Sequence, residues 1–108
     1  MRYNSVLDLH THTVASGHAY CSLREMAKAA SEKGLEVLGI TEHAPSMPGT
    51  CHKFYFNNLK VVPREMYGIQ LLLGSEVNIL DAQGTVDLEE KTLSNMDVVI
   101  ASLHTPCM

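Results

Sequence analysis

The sequence predicts an α/β fold in which parallel strands alternate with helices. Three observations favour it: short apolar or alternating segments recur along the chain, helical patterns lie between them, and a polar residue ends each strand. Such alternation is typical of parallel sheets joined by right-handed crossovers. The polar residues stand roughly 30 residues apart, the length of one β/α unit: His10, His43, Glu76 and His104.

The first strand and the first helix have clear local patterns. Alternation over residues 5–12 predicts a strand. Three polar side chains share one face of that strand: Asp8, His10 and His12. Ser22 followed by Glu25 is a capping box, and the apolar stripe behind it predicts a helix that ends at Gly34.

The middle of the chain contains two strands separated by an irregular segment. The continuous apolar run at residues 37–40 predicts a strand buried on both faces, which stops within the next three residues. Residues 44–58 are rich in Pro, Gly, Ser and aromatic residues and predict a long loop that is either functional or partly ordered by a ligand. A weak helical stretch interrupted by Pro63 follows at residues 59–67, and residues 69–77 predict the third strand.

The last third of the chain predicts a turn, a short helix and a fourth strand. Residues 81–84 form a turn signal, with a small hairpin that runs back through Val86 as one interpretation. Asp87 is predicted to cap a helix that ends near Asn95, with Glu90 in the capping-box position. The apolar residues 98–103 predict the fourth strand, which ends in His104.

The composition is that of one soluble domain over residues 1–108. The chain is 45% hydrophobic and 19% charged, with a formal net charge of -4. It lacks the ~18-residue apolar run of a membrane-spanning helix and the pattern of a signal peptide, so we expect a cytoplasmic protein without a membrane partner. Because the eight basic residues are scattered, we expect no nucleic-acid partner. Cys21, Cys51 and Cys107 lack paired spacing and are expected to be reduced.

His10 and His12 form an H-x-H pair on the first strand. Two imidazoles one residue apart on an extended strand point the same way and can bind one ion at about 2.0–2.1 Å per nitrogen. The alternative is two polar side chains on a solvated face. Asp8 either accepts a hydrogen bond from a ligating histidine or only begins the strand.

Four further candidates lie at the same end of the predicted sheet. Each has a simple alternative as a surface side chain, although a carboxylate directly after a buried strand favours a nearby cation or donor. They are His18, His43, Glu76 and His104. Five histidines and one glutamate exceed the needs of one tetrahedral zinc ion, so the pattern indicates a multinuclear site. Mixed imidazole and carboxylate ligands suit Zn, Mn or Fe, with a non-catalytic metal site or no metal as alternatives.

Three other polar residues have weaker signals. His52 lies in the predicted loop, where it either rims a substrate pocket or packs locally. Lys60 and Arg64 either meet a phosphate group or are solvated.

Five motifs resemble the PHP (polymerase and histidinol phosphatase) domain family. They are DLHTHT at 8–13, ASGHAY at 15–20, ITEH at 40–43, GSEVN at 74–78 and SLH at 102–104. The resemblance covers essentially the whole chain, and within the family the motifs are most similar to the small stand-alone bacterial YcdX-like phosphatases. It implies a distorted seven-stranded β/α (TIM-like) barrel with a trinuclear metal centre at the carboxyl ends of its strands.

The resemblance also implies a set of metal ligands and a reaction. His10, His12 and Glu76 would hold one metal ion, His18 and His43 a second, and Glu76 with His104 a third, so that Glu76 bridges. The implied activity is that of a phosphatase, which hydrolyses a phosphate ester of a small substrate by an activated hydroxide. Glu42 stands where relatives often carry Asp, which is expected to matter little because the neighbouring His43 is the ligand.

Further family ligands, a His after the fifth strand and a late Asp-x-His pair, do not occur before Met108. The chain is therefore expected to be the N-terminal half of a PHP domain, with about four β/α units. This leaves three alternatives to a phosphatase: a PHP-type nuclease, a metal-binding module without turnover, and a fragment that forms homo-oligomers or depends on a missing C-terminal half.

Overall fold

A sheet of four parallel strands, extended by one short antiparallel strand, organises residues 3–108, the part of the chain that the computed structural model describes. The elements in chain order are β1 (Leu7–Thr11), α1 (Leu23–Glu32), β2 (Val37–His43), α2 (Lys53–Asn57), β3 (Glu65–Met66), β4 (Ile69–Asn78), α3 (Glu90–Ser94) and β5 (Val98–Ser102). β2 pairs in parallel with β1 and β4, and β4 also pairs in parallel with β5. The predicted α/β class with parallel strands is confirmed, and the sheet curls into a half-barrel.

The two central strands carry the core. Leu38 and Ile40 of β2 and Leu71 and Leu73 of β4 are almost fully buried, as their continuous apolar runs predict. α1 covers this part of the sheet with Ala27 and other small or aliphatic side chains. The carboxyl ends of these two strands consequently lie next to a packed apolar core.

Local signals at α1 are confirmed. Ser22 Oγ accepts from the Glu25 backbone N–H at 3.2 Å, and the Glu25 carboxylate accepts from the Ser22 N–H at 2.9 Å. This reciprocal capping box satisfies two donors that have no partner inside the helix. α1 ends at Glu32, just before Gly34 with its φ of 84°.

β2 is longer than its apolar run predicts. It extends through Thr41 and Glu42 to His43, because these residues pair with Gly74, Ser75 and Glu76 of β4. Backbone pairing therefore carries polar residues into the sheet interior. β4 and β5 match the predicted third and fourth strands closely, and β1 is shorter than the predicted strand at residues 5–12.

The segment between β2 and β4 differs from the prediction. The predicted loop at 44–58 contains the helix α2, and the predicted helix at 59–67 is replaced by one short 3-10 turn and by β3. β3 forms an antiparallel hairpin with the start of β4 through Tyr67 (φ 54°) and Gly68 (φ 78°). Positive φ at both turn residues matches the twist of a tight hairpin, a conformation that a tyrosine rarely adopts.

Asp87 does not cap a helix, and this prediction is wrong. α3 begins at Glu90, with Glu89 as its cap residue and no side-chain capping bond. The Asp87 carboxylate instead accepts from the backbone N–H groups of Ser46 and Asn78, both at 2.8 Å. The hairpin interpretation of residues 81–86 is supported by an antiparallel bridge between Ile79 and Val86.

Among residues 3–108, the helices are too short and too polar to cross a membrane. Cys21, Cys51 and Cys107 are all free thiols.

We predict that Gly74→Ala destabilises the protein by about 3 kcal/mol or more, the upper range for overpacking a core. A Cβ at this position would overlap the Val98 carbonyl oxygen of the neighbouring strand β5. Gly34→Ala is the comparison variant, because its Cβ meets open space. Its only cost is the strain of an alanine in left-handed backbone, about 1–2 kcal/mol. Urea denaturation measures both, and equal losses would contradict the close approach of β4 and β5.

Candidate metal centre

The carboxyl ends of the strands converge on Glu76, a carboxylate that is only 3% exposed. It lies in β4 directly opposite His43 of β2. Its Oε1 is 2.8 Å from His10 Nε2, 3.1 Å from His12 Nε2 and 3.5 Å from His43 Nδ1. Its Oε2 is 3.2 Å from His104 Nε2. Four imidazoles therefore surround one carboxylate and approach both of its oxygens.

The imidazole rings also pack against one another. His12 and His43 stack with ring centroids 4.3 Å apart. His18 lies edge-on to both, with centroids 4.8 Å from His43 and 5.3 Å from His12. All six residues that the sequence singles out as candidate metal ligands thus lie in one cluster.

The geometry forms two groups of close ligand atoms around Glu76, and one of them is a set that the family resemblance implies. One group of close ligand atoms comprises His10, His12 and Glu76, and a second comprises His43, Glu76 and His104. The first group is the set that the resemblance implies for one ion. The second adds His43 to the implied pair of Glu76 and His104, whereas the resemblance assigns His43 with His18 to another ion. The assignment of all six as metal ligands remains a prediction.

Ser16 fixes the orientation of His12. The Ser16 hydroxyl donates to Glu42 Oε1 at 2.7 Å, so its oxygen is left to accept. It lies 3.3 Å from His12 Nδ1 and accepts from the His43 backbone N–H at 3.0 Å. This network assigns the ring proton of neutral His12 to Nδ1 and leaves a lone pair on Nε2, the atom that faces Glu76.

His104 is oriented in the same way at the opposite oxygen of Glu76. Its Nδ1 is 2.7 Å from Asn78 Oδ1, which can only accept. Glu76 Oε2 is also an acceptor, but only the contact between Nδ1 and Asn78 has hydrogen-bond geometry. We therefore assign the ring proton of neutral His104 to Nδ1, which leaves the Nε2 lone pair facing Glu76.

This arrangement fits a cation. Lone pairs of His12 and His104 face the oxygens of an ionised carboxylate, and such acceptors repel unless a cation lies between them. His43 Nδ1 is buried and has no hydrogen-bond partner within residues 3–108. Ligand atoms about 2.1 Å from one tetrahedral ion lie roughly 3.4 Å apart, close to the separations around Glu76 of 2.8–3.5 Å.

Burial and charge shift three pKa values in the cluster. Burial alone would raise the pKa of Glu76, but hydrogen bonds from His10 and Ser102 and the nearby imidazoles outweigh it and hold that pKa below its ordinary value. Burial lowers the pKa of His12, and burial together with the charge of His12 lowers the pKa of His43. Around these three groups the site therefore favours an ionised Glu76 beside neutral His12 and neutral His43, the protonation states that metal ligands require.

Glu42 has a role that the sequence analysis does not assign. Its fully buried carboxylate accepts from the backbone N–H of Thr13 at 2.8 Å, from the Thr13 and Ser16 hydroxyls, and from the Tyr55 hydroxyl at 3.3 Å. Burial and the charge of Glu42 raise the pKa of Tyr55. Glu42 thus fastens the turn after β1, which carries the Ser16 hydroxyl that orients His12.

Ser16, Glu42 and Asn78 are the site residues that sequence reasoning missed. Asn78 carried a usable signal, because it follows Glu76 by two residues on a buried strand and so shares its face. The bonds of Ser16 and Glu42 join residues about 30 positions apart, and no local pattern in the sequence indicates them.

The weaker candidates lie outside the cluster. His52 is the cap residue of α2, where its Nδ1 accepts from the Phe54 N–H at 3.0 Å. Arg64 Nε donates to Asp97 at 2.7 Å, and its guanidinium also donates to two backbone carbonyls. Asp8 accepts from the backbone N–H of His10 at 3.1 Å, which favours its interpretation as a strand-start residue.

We predict that Glu42→Gln lowers the free energy of unfolding by about 2 kcal/mol, because hydrogen bonds to a charged group contribute about 1.5–3 kcal/mol. Tyr55→Phe, which removes one of its partners, should cost about 1 kcal/mol. Glu90→Gln, at an exposed position of α3, is the control for the lost charge. A Glu42→Gln protein as stable as this control in urea denaturation would contradict the anchoring role.

The lowered pKa values predict how the stability of the metal-free protein depends on pH. His12 and His43 have folded-state pKa values below the ordinary 6.5, so the unfolded chain binds more protons as acidity rises. Their contribution is fully present above about pH 6.5 and is lost as the pH falls through the folded values. We expect a falling free energy of unfolding in urea titrations from about pH 7.5 to 5.5, and a shallower fall in His43→Gln. Identical slopes in the two proteins would contradict the burial effect at His43.

Comparison with known proteins identifies the family. Residues 8–107 match the PHP domain. A "probable phosphatase" of Clostridium novyi is 58% identical over the whole chain, which is 43% of that relative. Proteins of the same printed name from Caldanaerobacter subterraneus and Clostridium botulinum are 50% and 52% identical and are covered to 42% and 44% of their lengths. The chain spans less than half of the curated relatives it matches, and since the family match covers nearly all of it, the chain belongs to the PHP domain family.

Proposed function

We propose that the protein carrying this chain is a metal-dependent phosphoesterase that hydrolyses a phosphate ester of a small substrate. The observation that carries the proposal is the buried Glu76 carboxylate, faced by four imidazoles at 2.8–3.5 Å, two of them oriented to present lone pairs. The printed names of the relatives, each a "probable phosphatase", support the same class of reaction.

The proposed ligands are the six residues of the cluster, and the proposed centre is trinuclear. Glu76 would bridge, since Oε1 meets the imidazoles of His10, His12 and His43 while Oε2 meets that of His104. His18 would complete the set from its position beside His43. Zinc suits these ligands, with manganese or iron as alternatives. Bound divalent ions would activate water as a nucleophile and neutralise charge on the phosphate.

The protein side chains contribute orientation and access. Ser16 and Asn78 hold protons on the Nδ1 atoms of His12 and His104, so that both Nε2 atoms stay available. The closed side of the cluster is formed by His43 and Glu76, whose side chains are at most 6% exposed, whereas the His10 side chain is 47% exposed. We therefore expect the substrate phosphate to approach from the side of His10.

We also propose that residues 1–108 are the N-terminal part of one PHP domain and that the half-barrel belongs to a seven-stranded barrel. Both outer strands expose large apolar side chains: Leu7 in β1 is 50% exposed and Val99 in β5 is 43% exposed. An edge strand with exposed apolar side chains and unpaired backbone groups can pair with a further strand. In the longer relatives, the remainder of the chain is available to cover these edges. An isolated half-barrel would cover them by homo-oligomerisation.

We predict that Glu76→Gln lowers the turnover of an aryl phosphate such as p-nitrophenyl phosphate by at least about 100-fold. Loss of a residue that only hydrogen-bonds to a metal ligand costs up to about 100-fold, and loss of a ligand should cost no less. The substitution should also lower the bound metal, which we expect to be about three ions per chain in the unmodified protein. Glu90→Gln is the matched control, because Glu90 is exposed in α3 and lies outside the cluster. Colorimetric phosphatase assay and elemental analysis give the two readouts.

The two readouts separate the alternatives. Purified protein that holds no transition metal, even after dialysis against zinc, would contradict the metal centre. Metal that is bound through Glu76 without turnover would indicate a binding module. Turnover of a single-stranded oligonucleotide in preference to the aryl phosphate would indicate a nuclease and contradict the small-substrate proposal.

A further inference from the structure

Asn78 is the most deeply buried polar side chain that contacts a proposed ligand, and its amide group has defined partners on both sides. Its Nδ2 donates to Asp87 Oδ2 at 2.7 Å and to the Ala44 carbonyl oxygen at 3.3 Å. Its Oδ1 lies 2.7 Å from His104 Nδ1. Asn78 itself is fully buried, so water cannot replace any of these partners without a change in packing.

From these contacts we infer that Asn78 is a positioning residue, which fixes the ring tautomer of His104 and is itself held in one orientation by Asp87. This inference rests on the proposed metal centre, because it assigns Asn78 a role in presenting one of the ligands. Asn78 meets His104 at Nδ1, whereas Glu76 faces the other ring nitrogen, Nε2, so Asn78 acts on the site through the imidazole.

Asp87 decides which end of the amide faces His104. A carboxylate and a backbone carbonyl both accept hydrogen bonds, so the Asn78 NH₂ group must point toward Asp87 and Ala44. Rotation of the amide by half a turn would set its oxygen against these two acceptors and lose two hydrogen bonds. The carbonyl end is consequently the only end available to His104.

Asp87 is in turn held by backbone donors from two segments. Its Oδ1 accepts from the Asn78 N–H and its Oδ2 from the Ser46 N–H, both at 2.8 Å. Ser46 lies just after β2, and Asp87 lies just before α3, so this carboxylate joins two connections at the rim of the site. The chain of hydrogen bonds runs from the backbone through Asp87 and Asn78 to the imidazole of His104.

The consequence for His104 is a single usable nitrogen. With Asn78 Oδ1 as its acceptor, Nδ1 carries the ring proton and Nε2 faces Glu76 Oε2 at 3.2 Å with a free lone pair. Without this acceptor, both tautomers become available, and the one with Nε2–H donates to Glu76 and cannot bind metal through that nitrogen.

The first test reads the tautomer of His104 directly in metal-free protein. Long-range proton–nitrogen NMR correlations distinguish a protonated ring nitrogen from a bare one, in mildly alkaline buffer where free imidazole is neutral. The His104 signals are identified by their loss in His104→Gln. We expect Nδ1–H in the unmodified protein and a mixture of tautomers in Asn78→Leu. If the unmodified protein mainly carries the His104 proton on Nε2, this result alone overturns the inference, whatever Asn78→Leu shows.

The second test measures zinc affinity by competition with a chromophoric chelator. We expect Asn78→Leu to bind zinc about 10- to 100-fold more weakly, the usual cost of losing a partner of a metal-ligating histidine. Thr41→Val is the matched control, because it also replaces a fully buried polar side chain of the sheet by an apolar one of similar shape. Equal affinities of these two variants would overturn the inference.

A rescue experiment separates positioning from packing. Asn78→Asp keeps an acceptor for His104 but places a second carboxylate beside that of Asp87, and the two repel. Adding Asp87→Asn removes this repulsion, because the new amide at position 87 can donate to the carboxylate at position 78. We expect zinc affinity to fall in the single variant and to recover at least about tenfold in the double variant. No recovery in a double variant that keeps a native NMR spectrum would contradict the relay. Since the tautomer is read without metal, a failed relay and a failed metal centre give different results.

Discussion

The alignment of β2 with β4 is the constraint on which the site depends. Seven consecutive residue pairs join these strands, from Val37 opposite Gln70 to His43 opposite Glu76. Because side chains alternate across a strand, a slip of one residue between the two strands would place His43 and Glu76 on opposite faces of the sheet. The apolar side chains between the two ends of this pairing prevent the slip, since it would also expose the core. Hydrophobic packing of the two strands therefore determines where the ionisable cluster lies.

Two buried carboxylates at this end of the sheet have opposite surroundings. Glu42 is enclosed by donors, namely the Thr13 amide and the hydroxyls of Thr13, Ser16 and Tyr55. Its charge is compensated by the protein itself, as a stable interior requires. Glu76 is enclosed by imidazoles, two of which turn lone pairs toward it. Hydrogen bonds from His10 and Ser102 compensate part of its charge, and in the proposed metal centre bound cations would compensate the rest.

The sequence predicts the strands and the residues at their ends better than it predicts the connections. Apolar runs locate β2, β4 and β5 because buried strands select continuous apolar segments. The sequence does not predict the β3 hairpin, because Tyr67 at its turn adopts a positive φ, which tyrosine rarely does. Asp87 has the pattern of a helix cap, yet its partners include Ser46, 41 residues away. Hydrogen bonds formed after the fold assembles are not encoded in neighbouring residues.

The proposed ligands are dispersed over almost the whole chain, from His10 to His104, and only His10 and His12 are neighbours in sequence. An unfolded chain would have to close several long loops to gather them, at a cost in chain entropy that grows with loop length. Metal would consequently bind the folded chain far more tightly than the unfolded one. By mass action, such selective binding stabilises the fold by about 4 kcal/mol at a free metal concentration 1,000 times the dissociation constant. Metal supply would then set the cellular lifetime of the protein as well as its chemistry.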